Sequence, residues 1–183
     1  PMQVLHLRTD VGPWACADLA RLDAALAAAG STPVDLPWEN FALEEDGEHF
    51  TDAGADAFAR ALADALAPAC RGRTVLVLAD STIDHNDRDT TGAWHGGGTR
   101  RVIHACAAHG VRATVDALWG TGYVARAHAS LHFRSRLAAY LRAHRDRIDV
   151  LLLVGGWNDV HTHHPCERVC AAAEACVALA LRG

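Results

Sequence analysis

Two short stretches of this chain carry residue types suited to acyl transfer: Asp46-Gly47-Glu48-His49 and Ala79-Asp80-Ser81. A carboxylate three residues before a histidine can orient and polarise the imidazole. A serine at the tip of an apolar strand is well placed as a nucleophile. Ser81, His49 and Asp46 therefore form a candidate Ser-His-Asp site, a geometry that recurs on unrelated folds in different chain orders. In that chemistry Ser81 attacks an acyl carbonyl, and His49 takes its proton and returns it to the leaving group. Asp46 fixes the tautomer and stabilises the imidazolium.

The elements that must position these residues follow from hydrophobic patterning. Apolar runs at residues 3–7, 33–36, 74–79, 111–118 and 149–154 read as strands. The run 74–79 is continuously apolar, as suits a strand buried on both faces. Helical patterns fall at 16–29, with Gly30 as its stop, and at 52–67, capped by Thr51 and Asp52. Others fall at 99–109, 130–144 and 165–181. The alternation predicts an α/β fold, a three-layer αβα sandwich with a five-stranded parallel sheet (flavodoxin-like), in a single domain over 1–183. The polar stretch 80–98 follows the central strand at its C-terminal end, where open α/β folds place ligand sites.

Composition narrows the classes. Half of the 183 residues are apolar, about a fifth are charged and the formal net charge is −5, which gives no basic stripe for nucleic acid. No apolar run approaches the ~18 residues a membrane span needs. The first residues lack a basic segment followed by a long apolar one, so a cytoplasmic location is expected, although a leader removed before Pro1 would leave no trace. The six cysteines include no C-x-x-C pair and read as small buried thiols in a reducing compartment rather than as disulfides. No cofactor and no metal is expected.

Four blocks resemble the SGNH (GDSL-like) hydrolase family. Val75-Leu76-Val77-Leu78-Ala79-Asp80-Ser81 is similar to its first block, although Ala79 stands where glycine is usual. Gly155-Gly156-Trp157-Asn158-Asp159 matches its Gly-x-Asn-Asp block, and Asp46-Gly47-Glu48-His49 its final Asp-x-x-His block. Trp119-Gly120-Thr121-Gly122-Tyr123 sits where the family has its glycine block. The resemblance implies an ester hydrolase (carboxylesterase, lipase, thioesterase or deacetylase) acting on a small-molecule or glycan ester. It also implies an oxyanion hole from the Ser81 N–H, the Gly120 N–H and the Asn158 amide, with the spacing leaving Gly122 open as the glycine donor. The blocks occur out of family order. Residues 1–70 resemble the family's C-terminal third and 71–183 its N-terminal two thirds, which implies a circular permutation that sets strand 3–7 beside strand 149–154.

Other roles compete for some of these residues. Asp80, Ser81 and Asn158 are also ordinary helix-capping types. Trp119, Gly122, Tyr123, Trp157 and His161 are candidate substrate contacts, Trp94 joining them as an aromatic. His161, His163 and His164, with His85 and His95, could instead serve a metal-dependent hydrolase. A non-catalytic binding module on the same fold is the remaining alternative, and oligomeric state is left open.

Overall fold

The structure, a computed structural model, describes residues 2–11, 15–47, 49–84, 97–126 and 132–182. Five parallel strands form one sheet: β1 (Gln3–Leu7), β2 (Thr32–Val34), β3 (Thr74–Ala79), β4 (Arg112–Ala117) and β5 (Val150–Val154). Their order is β2-β1-β5-β3-β4. The expected neighbours β1 and β5 are paired, with Leu5 opposite Leu152, and Val77 of β3 lies on the other side of Leu152. Central β5 is buried along its whole length, and β3 is buried from Val75 onward. Both are β-branched and leucine runs without polar alternation, as a sheet covered on both faces requires.

The covering helices are α1 (Ala17–Ala28), α2 (Asp52–Cys70), α3 (Ser81–Asp84), α4 (Gly97–Ala108), α5 (Phe133–His144), α6 (Trp157–His161) and α7 (Cys166–Leu181). One layer holds α2 against α4, and the other holds α7 between α1 and α5. The fold is thus the expected αβα sandwich. α2 starts at Thr51, whose side chain accepts the Gly54 N–H, and runs three residues past its expected end before Arg71 leaves the helix. Strand β2 is shorter than the expected 33–36 and contains Pro33, which is tolerable because β2 lies at the sheet edge.

Parallel strands put all five C-terminal ends on one side of the sheet. The loop after β2 carries Asp46 and His49, β3 leads into Ser81, β4 into Gly120, and β5 into Asn158.

Candidate active site

The chain turns from β3 into α3 at Asp80, which is completely buried. Its backbone N–H donates to the Val154 carbonyl, joining the tips of β3 and β5. Its Oδ1 accepts the Thr82 N–H at 2.9 Å and so caps α3. Its Oδ2 makes no hydrogen bond among the described residues. Burial, opposed by the Thr82 bonds, pushes the Asp80 carboxyl up to about 6. Ser81 follows as the first residue of α3, part-exposed. Neither its hydroxyl nor its N–H makes a hydrogen bond among the described residues.

His49 and Asp46 are held together twice. The ring Nδ1 lies 2.6 Å from Asp46 Oδ2, and the His49 N–H donates to Asp46 Oδ1 at 3.0 Å. Nδ1 faces the carboxylate, the arrangement that in a neutral imidazole favours the tautomer protonated on Nδ1. An antiparallel bridge between Leu43 and Phe50 closes the base of the loop, and the Glu44 N–H donates to the His49 carbonyl. Phe50 then anchors it in a buried cluster with Phe41 and Phe58.

Helix α4 connects this loop to Ser81. Gly98 in its first turn lies so close to α3 that a Cβ there would fall 1.7 Å from the Ile83 carbonyl oxygen. One turn on, Arg101 pairs with Asp52 at 2.8 Å and Asp56 at 2.9 Å, in the α2 turns that follow His49. Helix α4 thus touches both α3, which begins at Ser81, and the start of α2, which follows the His49 loop. The structure does not close a triad: no Ser81–His49 hydrogen bond is present among the described residues.

After β5, Asn158 donates its side-chain amide to the Thr121 carbonyl at 2.9 Å. One of its two N–H donors remains for another acceptor. The segment it touches is held by two buried residues that sequence reasoning did not assign to the site. Asp159 accepts the N–H groups of Tyr123, Val124 and Ala125 at 2.7–2.9 Å. Burial raises its carboxyl, and these three bonds oppose the rise. Arg136 donates to the Ala79 carbonyl, the Thr121 hydroxyl and the Asp116 carboxylate, which staples the ends of β3 and β4 to the turn. The Gly122 N–H is spent on the Ala125 carbonyl, whereas the Gly120 N–H makes no hydrogen bond among the described residues.

Two expected substrate contacts change character. Tyr123 is buried with its ring 5.0 Å from that of Phe133, so it is a core residue and not a wall of the site. Gly122 faces the Asp159 carboxylate, which fills the space a ligand would need there. Trp119 is exposed, and half-buried Trp157 lies 5.8 Å from the exposed His161 ring, so these three keep surfaces that a ligand can touch. Trp94, His85 and His95 lie outside the described residues. Among the described residues, no group of three or more His, Cys, Asp or Glu is arranged to hold a metal ion. All six cysteines are thiols, and no helix there is long and apolar enough to cross a membrane.

The signal for Asp159 was present in the block Asn158-Asp159, where a second acid next to Asn reads equally well as a first-turn helix residue. Comparison of the chain with protein-family models, with curated proteins and with solved structures gives no match.

Proposed function

We propose that this chain is a serine ester hydrolase of the SGNH type, acting on a small ester such as a short acyl or carbohydrate acetyl ester. The observation that carries the reading is the double grip of Asp46 on His49, on a loop that α4 ties to the helix beginning at Ser81. Ser81 Oγ adds to the acyl carbon while His49 Nε2 takes the hydroxyl proton. The tetrahedral oxyanion is met by the Ser81 and Gly120 N–H groups and the remaining Asn158 N–H. Collapse expels the alkoxide, which leaves as the alcohol with the proton from His49. Water then repeats the sequence on the acyl-serine, releasing the acid and restoring Ser81. The mechanism requires Nε2 to come within about 3 Å of Ser81 Oγ when ester binds.

The strand order supports the permuted reading. Begun at β3, the chain runs β3, β4, β5, β1, β2, and the pairing of β1 with β5 is the one such a rearrangement needs. Helix α7 packs on β1, the element such a rearrangement would join it to.

A non-catalytic binding module is the second reading, favoured by the absence of a hydrogen bond on Ser81 Oγ among the described residues. Hydrolysis of p-nitrophenyl acetate decides between them. Turnover that disappears in Ser81→Ala supports the hydrolase. Turnover unchanged in that variant overturns it, and no turnover in the wild type favours the module.

A further inference from the structure

A second feature lies on the outer surface of the αβα sandwich, between the first turn of α5 and the outer face of α7. A cavity of about 280 Å³ there is lined by Arg126, Arg134, Arg168 and His132, above Ala171 and Ala175. Arg168, Ala171 and Ala175 share one face of α7 by helical spacing, so the small side chains make a floor and the arginine a wall. Among the described residues lining the cavity there is no carboxylate, and Arg134 and Arg168 form no ion pair. In a chain of net charge −5, this is a local inversion of sign. All seventeen basic residues of the chain are arginines, whose planar forks match tetrahedral oxyanions in paired hydrogen bonds.

We infer that this cleft binds a phosphoryl dianion. Arg134 and Arg168, two like charges on one cavity with no ion pair among the described residues, repel each other until an anion enters. His132 adds a neutral donor: its Nδ1 accepts the Ser135 N–H at 3.2 Å, which leaves the ring proton on Nε2. Burial first, and then Arg126 and Arg134, lower the His132 pKa, as a ring in cationic surroundings requires. The cavity lies just below the roughly 300–1,000 Å³ of pockets for larger organic ligands, a size suited to phosphate or a small phosphate monoester. The inference does not rest on the role proposed for Ser81.

Calorimetric titration of the whole chain at low ionic strength tests it, with inorganic phosphate and methyl phosphate as ligands and acetate as control. Saturable one-to-one phosphate binding is expected, weakening as salt rises. Arg134→Gln with Arg168→Gln should weaken it at least tenfold. Both side chains are exposed, so the double variant should keep its circular dichroism spectrum. The His132 pKa, read by NMR, should rise when phosphate binds. Binding of both phosphates assigns the cleft to a phosphate monoester, and binding of inorganic phosphate alone assigns it to the free anion. No saturable binding, equal binding of acetate, or undiminished affinity in the double variant overturns the inference.

Discussion

The carboxylate of Asp159 occupies the space that a side chain at position 122 would need: a Cβ on Gly122 would fall 2.2 Å from its Oδ2. Bare glycine and buried acid are two halves of one latch, which fixes the turn carrying Gly120. Asp159→Asn keeps an oxygen for Val124 and Ala125 but turns an N–H toward that of Tyr123. Asp159→Asn and Gly122→Ala should each cost about 2–4 kcal/mol in urea unfolding. Variants as stable as the wild type would show that the latch contributes nothing.

Asp80 gives a pH signature. Its folded pKa, about 6, exceeds the ordinary 3.8, so the folded chain holds this proton longer than the unfolded one. Its contribution is therefore most favourable below about pH 4 and declines as pH rises to about 6, then levels. Asp23, buried under the Thr9 and Asp10 N–H groups, is pushed up to about 6 as well and acts in the same direction. Asp80→Asn is neutral throughout. Relative to the wild type it should gain about 2–3 kcal/mol at pH 7 and little at pH 4, measured by urea unfolding across that range. A constant difference at all pH values would contradict this.

Arg101 links the two halves of the proposed triad through α2. The two carboxylates are exposed but Arg101 is half-buried, so Arg101→Gln should lower stability by no more than about 2 kcal/mol. If the pairing positions the His49 loop, kcat for a short ester should nevertheless fall five- to tenfold with KM held. Unchanged kcat would separate α4 from the positioning of His49.

Asp46→Asn tests the grip on the imidazole. An amide in place of the carboxylate can turn an N–H toward Nδ1 and favour the wrong tautomer. A loss of about 10³–10⁴ in kcat is expected, with the fold retained, measured by ester turnover and circular dichroism. Full activity would show that Asp46 only shapes the loop.

The sheet was legible because β3 and β5 are unbroken apolar runs, which suit a covered parallel sheet, and helical patterns alternate with them. The Asp46–His49 contact was legible because both partners lie within one loop. The roles of Asp159 and Arg136 were not, since their partners lie on segments remote in sequence and are mostly backbone groups, which leave no trace in residue type. Arg136 reads as the polar side of an amphipathic helix, yet it is buried because Asp116 and two strand tips need its donors. Tyr123 was misread for a related reason: loop aromatics near a site are as often core as surface, and Phe133 decides which.

Labelling with a fluorophosphonate addresses the triad directly, because the probe reacts with a serine that has an active base and an oxyanion hole. One probe per chain on Ser81 is expected, with none in Ser81→Ala and labelling at least a hundredfold slower in His49→Ala. No labelling of the wild type, or equal rates with and without His49, would contradict the assignment of Ser81, His49 and Asp46 to one active site.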